Sequence, residues 1–314
     1  MPKDVTGPVA APDAGLIFRT YDAASLTVMD RFQDSLALSA QELLQTHAAL
    51  PREVHYVADL RRWLLSQATI AIHFQHRLDR RSPPISPGRL MQVLCDTKIA
   101  SRNTIGTFLS EMNRYDFIAP ISSHDRRRRE FQATPKSEAL IRHYFEIHLR
   151  SLDGIDGGRR HAIFRHYPEL LPTAQSAFAN RLCETREWHD PAHSIARFVR
   201  SDSGSSVLHD LVSSAPGEAV LSDTPIWIGE VSPVAFSRKY RISRMHVARL
   251  FGEARAAGLM GWAKSSNRGA CWISPRLVHD YRHWQALKLA AVSHAFHDAA
   301  AMHAAGQAPQ PQSV

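Results

Sequence analysis

The sequence predicts a mainly α-helical chain with small β-hairpins, in which one structural unit occurs twice and a helical bridge joins the copies. Three observations lead there. Apolar residues recur at helical spacing over much of the 314 residues. A pattern of two short capped helices followed by a hairpin returns some 140 positions later. The basic excess gathers at both copies: residues 234–276 hold nine Lys/Arg against one acid, Glu253, and residues 86–136 hold nine against five.

Hydrophobic residues make up 44% and charged residues 22%, proportions that fit a globular protein and exclude a disordered or fibrous one. The formal charge of +8 and pI near 9.7 point to a polyanionic partner. Only six of the 38 basic residues are lysines, so the positions of the charges argue more than their total. No apolar run approaches the roughly 20 residues that cross a bilayer. The first residues, rich in Pro, Ala and Gly, lack the apolar core of a signal peptide. The expected location is cytoplasmic, associated with the nucleoid. Cys95, Cys183 and Cys271 lie far apart, without the spacing of a disulfide framework or zinc ribbon, and read as small apolar residues.

Taken in order, residues 1–15 and 304–314 read as flexible tails. An N-terminal helical segment, 16–53, carries Leu26, Met29, Phe32, Leu36, Leu43 and Leu44 at helical spacings. A first domain spans 54–150. It opens with one long helix over about 54–80, which the Pro83, Pro84 pair ends. Gly154, Gly157 and Gly158 mark a break in a connector, 151–187, that is helical from 159. A second domain follows at 188–303.

The repeat is explicit. At an offset of 142, Ser101, Arg102, Ile105, Phe108, Leu109, Glu111, Phe117 and Ile118 match Ser243, Arg244, Val247, Leu250, Phe251, Glu253, Leu259 and Met260. At an offset of 140, Thr134 and Pro135 match Ser274 and Pro275, and Arg142, His143 and Tyr144 match Arg282, His283 and Trp284.

Each copy has its own punctuation. Ser86 with Pro87, and Ser232 with Pro233, place a cap and a first-turn proline at the start of a short helix. Ser101 or Ser243 caps a second helix. Its buried stripe is Ile105, Phe108, Leu109 and Met112, or Val247, Leu250, Phe251 and Ala254. The opposite face carries Arg102, Asn103, Thr104 and Thr107 in the first copy, and Arg244, Met245, His246 and Arg249 in the second. Phe117 and Ile118, or Leu259 and Met260, then begin a strand, a polar tip follows, and the return strand ends at Thr134 or Ser274. Helix, turn, helix and hairpin make a winged helix-turn-helix, so the expected architecture is tandem winged helix-turn-helix domains. A polar, cationic face on such a second helix suits the major groove. Arg can bind guanine in a bidentate manner, Asn can do so with adenine, and Thr can reach either.

The first tip contains Asp125, Arg126, Arg127, Arg128 and Arg129, and Thr134, Pro135 and Lys136 close it. Here residues 54–149 resemble the MarR family of bacterial regulators, whose wing has an Asp-Arg-Arg pattern closed by Leu-Thr-Pro-Lys-Gly. Ala133 and Ser137 replace the Leu and Gly of that pattern. The resemblance implies that Arg126 or Arg127 enters the minor groove, oriented by Asp125. It also implies a small-molecule effector pocket between bridge and heads, with Trp63, Phe74, Phe164, Tyr167 and Trp188 as candidate lining. The second tip keeps two cations, Lys264 and Arg268, and lacks the Asp; it resembles winged helices more generally.

The 18 histidines raise the question of a metal. His189 and His193 have Pro191 between them, and His143 and His148 lack a nearby Cys or carboxylate at ligand spacing, so no metal and no cofactor is expected. Phosphate-binding Gly-rich loops, nucleophile elbows and HExxH are missing from the sequence, so no enzyme is expected. The expected function is sequence-specific binding of double-stranded DNA by a transcriptional regulator, as a pseudo-dimeric monomer or a homodimer. A replication initiator with tandem winged helices and a protein-interaction scaffold are the alternatives.

Overall fold

The computed structural model describes residues 19–94, 99–121, 129–216, 224–264 and 268–307. It is mainly helical, 69% helix, with two small antiparallel sheets. The first half contains α1 (Ala23–Thr27), α2 (Phe32–Ala49), α3 (Pro51–His55), α4 (Leu60–Leu78), α5 (Pro87–Val93), α6 (Arg102–Arg114), β1 (Ile118–Pro120), β2 (Phe131–Ala133) and α7 (Pro135–Asp156). The second contains α8 (Arg160–His166), α9 (Leu170–Glu184), α10 (Arg186–His189), α11 (His193–Val199), α12 (Gly204–Ser213), β3 (Ile226–Glu230), α13 (Pro233–Tyr240), α14 (Arg244–Ala256), β4 (Met260–Lys264), β5 (Arg268–Ile273) and α15 (Pro275–Gln307).

Several elements differ from the sequence expectation. The single helix expected over 54–80 is broken. α3 stops at His55, and extended Asp59 accepts the Arg62 N–H at 2.9 Å to start α4 afresh. The helical connector over 159–187 is three helices, with Pro168 between the first two. α7 runs through Gly154 and ends only at Gly157, which takes the left-handed φ of 73°. A Cβ at 154 would stand 2.7 Å from Ser35 Oγ, so glycine there lets α2 approach. β3 was not anticipated, although Ile226, Trp227 and Ile228 form a short apolar run. α15 extends to Gln307, into the stretch read as a tail.

The two motifs share their reverse turn and strand register. Both second helices have 13 residues. Each ends in the same reverse turn. Phe117 N–H reaches Met112 O at 2.8 Å and Leu259 N–H reaches Ala254 O at 2.9 Å, while Asp116 (φ 60°) and Gly258 (φ 68°) hold the left-handed position. Ile118 pairs with Ala133 and Met260 with Ile273, the same register at offsets of 142 and 140. β5 lies between β3 and β4, and in the first copy a lone bridge from Ile85 to Phe131 occupies the place of β3.

Beyond these motifs the halves exchange helices. α2 packs on α7 of its own half and on α12 of the other; α9 packs on its own α15 and on α4 of the other. α1 lies on α15, and α8 lies on α7. The exchange is held by directed bonds. Tyr21 N–H donates to Ser293 Oγ at 3.1 Å, and Arg282 reaches Thr27 O at 2.9 Å and Gln33. Gln175 donates to Gln67 at 2.6 Å between α9 and α4. At the crossing sits Arg160, fully buried. It binds both oxygens of Asp156 at 2.7 and 2.8 Å and Asp153 at 3.3 Å, and donates to Arg19 O at 3.0 Å. Asp156 also accepts the Tyr21 hydroxyl at 2.6 Å. Burial by itself raises the Asp156 carboxyl, but hydrogen bonds from Arg160 and Tyr21 prevail and hold it below the usual carboxylate range.

Two outcomes are expected. Replacing Arg160 by Met strands two carboxylates and lowers unfolding free energy by about 3–5 kcal/mol in urea titration. Because the folded-state pKa of Asp156 is depressed, its contribution is present above the ordinary carboxylate pKa and lost as pH falls through the folded value. Arg160→Met should therefore flatten the acid limb of a stability-versus-pH curve. At the matched left-handed positions, Gly258→Ala should cost about 1 kcal/mol or more, whereas Asp116→Gly should be neutral or stabilising.

Candidate nucleic-acid interface

Ser101 starts α6 by accepting the Thr104 N–H at 3.2 Å, and Ser243 starts α14 by accepting the His246 N–H at 3.1 Å. The apolar stripes expected for both helices are buried. Their opposite faces meet solvent. On α6, Arg102, Asn103 and Thr107 are exposed and line a shallow groove with Ser110, Arg114 and Arg129. Arg129, which follows the hairpin tip, thus joins the helix face and does not stand apart from it. Glu111 also lines this groove, but Arg62 of α4 neutralises it at 2.9 Å, so the face stays cationic.

Thr104 differs from the expectation. It is half-buried, with its hydroxyl 2.9 Å from Ser101 Oγ, because the third position of a capped helix turns back over its cap. His246 occupies the same position in α14 and is likewise half-buried, with Nε2 3.4 Å from Ser201 Oγ. Neither presents its polar end to a groove. On α14, Arg244 and Arg249 are exposed and Met245 is 80% exposed. Arg249 faces Glu253 at 3.9 Å. Lys264 is exposed at the end of β4. Asp125, Arg126, Arg127 and Arg128 lie outside the described residues, as does the side chain of Arg268. Sequence reading missed Ser110, Arg114 and Arg241. The first two follow Thr107 along the exposed face at helical spacing, and Arg241 lies exposed in the turn before α14.

The first hairpin is tied to its scaffold. His73 of α4 accepts the Ala133 N–H at Nδ1 (3.2 Å), and its Nε2 faces Glu138 at 3.1 Å, which places the proton on Nε2. Burial holds this imidazole below the usual histidine range against the pull of Glu138. Thr134 Oγ1 donates to Asp116 O at 2.8 Å and Ser137 Oγ to Phe117 O at 2.6 Å, so the serine at 137 locks helix start to strand start. In the second motif, Trp262 Nε1 donates to Val231 O at 2.9 Å.

A cavity of about 230 Å3 lies between the bridging helices and the first motif. Trp63 and Trp188 line it, as expected. Phe74 and Phe164 are buried core side chains away from it, and Tyr167 packs on His303 with ring centres 4.8 Å apart. Among the described residues, no three His, Cys, Asp or Glu side chains gather as metal ligands. His189 ends α10 and His193 starts α11, so the pair shares no helix. Cys183 and Cys271 are buried, which pushes both thiols up to about 12; Cys95 lies outside the described residues. No helix among the described residues is long and apolar enough to cross a membrane.

No protein-family model, no curated protein and no solved structure matches this chain.

Ser101→Ala and Ser243→Ala should each cost about 1 kcal/mol through loss of the cap. Amide hydrogen exchange should show the loss as faster exchange confined to the first turn of α6 or α14.

Proposed function

We propose that the chain is a sequence-specific double-stranded DNA-binding transcriptional regulator whose two unequal winged helix-turn-helix heads are joined by the helical bridge. The observation that carries this reading is the matched pair of Ser-capped, 13-residue helices, each with a solvent-facing cationic surface. In this reading α6 and α14 enter successive major grooves, with half-sites about 10 bp apart or a multiple of that. Arg102 and Arg244 read guanine and Asn103 reads adenine. Met245, apolar and exposed, suits the thymine methyl group. Thr107 and Arg249 lie one turn further along.

Arg129 follows the first hairpin tip and Lys264 precedes the second, where both suit phosphates, while Arg268 follows the second tip. The resemblance to the MarR family supports a minor-groove role for Arg126 or Arg127, oriented by Asp125. Asn103 and Met245 occupy equivalent positions and differ in chemistry, so one chain should prefer an asymmetric site. The reciprocal helix packing supports a pseudo-dimeric monomer, because each half already covers the surface that a second copy would cover.

The test is binding of the full chain to a randomised duplex pool across a salt series, with the retained DNA sequenced. An enriched, two-part asymmetric motif with a steep salt slope is expected. A perfect inverted repeat would show a homodimer using one head per chain, and absence of duplex binding would overturn the reading. Arg102→Ala and Arg244→Ala should each lose about 1–3 kcal/mol of discrimination, at different halves of the site. Arg129→Ala should leave the motif intact and reduce the salt slope by about one unit.

A further inference from the structure

The cavity beside the first motif contains one feature that DNA binding does not use. Lys288, on α15 of the second half, is 3% exposed and lines it. Lysine is rarely buried without a carboxylate partner. Here Nζ makes no ion pair or hydrogen bond with any described residue, and it stands over the Tyr144 ring, 5.9 Å from its centre. Glu53 also lines the cavity, but it pairs with Lys136 at 3.2 Å. Close by, His148 is fully buried. Its Nδ1 donates to Tyr144 O at 2.7 Å, and Nε2 is left without a partner. Burial pushes the amine down to about 7, and burial above all, with Lys288 as a second cause, holds His148 and His209 below the usual histidine range.

The walls suit a flat apolar guest. Trp63, Trp188 and Trp284 form a column, with centroids 5.4 Å apart for the first pair and 4.4 Å for the stacked second pair. The volume, about 230 Å3, exceeds the roughly 150 Å3 of an apolar cavity that admits benzene. The lining also includes exposed His143, whose Nε2 meets the hydroxyl of half-buried Thr46 at 3.1 Å, and this side of the cavity faces solvent.

We infer that this cavity is a carbonyl-capture site, in which Lys288 condenses reversibly with an apolar aldehyde. A desolvated lysine amine is a nucleophile suited to imine formation. The Nζ lone pair attacks the carbonyl carbon, and the carbonyl oxygen leaves as water with the two amine hydrogens. A C=N bond replaces C=O, and no oxidant or reductant enters. The inference stands independently of DNA binding.

Benzaldehyde with cyanoborohydride, which reduces an imine to a stable amine, tests it on the full chain at neutral pH. Peptide mapping by mass spectrometry should find the benzyl group on Lys288 roughly tenfold or more sooner than on any other lysine, since an ordinary lysine is almost wholly protonated there. The preference should vanish in urea. Lys288→Met should reduce early labelling to the level of the remaining amines, and the wild-type map decides the matter even if that variant does not fold. Labelling spread over the lysines without preference for Lys288, or a preference that survives denaturation, would overturn the inference.

Discussion

The guanidinium of Arg160, at the start of the second half, is buried where the two halves of the chain cross, and its ligands come from the first half. Asp153 and Asp156 belong to the last two turns of α7, and Arg19 O belongs to the segment entering α1. Through Asp156 the cluster also holds Tyr21, whose N–H fixes the same segment to α15. Burying such charges is expensive, and the cost is offset only when every oxygen finds its donor. That condition admits one placement of α1 and α8 relative to α7 and α15. Two halves that exchange leading helices need such a condition, since apolar helix faces alone tolerate sliding.

The placement of the two helix-hairpin motifs follows from this crossing. α4 and α7 carry the first hairpin through His73, Thr134 and Ser137, and α15 continues directly from β5. Neither second helix hangs on a long linker. Arg62 also reaches from the bridge to Glu111 on α6, so the same contact that fixes the helix removes the acid from its outer face.

The cavity follows from the crossing as well. Helices from both halves meet there around large aromatic side chains; Trp188 of α10 stacks on Trp284 of α15 and Trp63 of α4 tilts against Trp188, and space remains between α2, α4 and α7. Phe108 and Met112, on the buried stripe of α6, form part of its wall together with Lys288. The cavity thus lies between the back of the first motif and the closing helix of the second.

The two capped helices with their hairpins were legible in the sequence because their signals are local. A serine before a polar turn, a 3.6-residue apolar stripe and a reverse turn after it are written within some thirty neighbouring positions, and the pattern occurs twice. The exposed face was legible only in part. Periodicity gives the side of a helix, but the third position beyond a cap folds back, as Thr104 and His246 do. Tertiary structure alone brought Arg129 against α6, divided the helix expected over 54–80, and paired β3 with β5. It alone decided the exchange of leading helices and the isolation of Lys288. An amphipathic pattern states that a face is buried and not which helix buries it, and a lysine in a helical sequence reads as solvent-facing until its neighbours close around it.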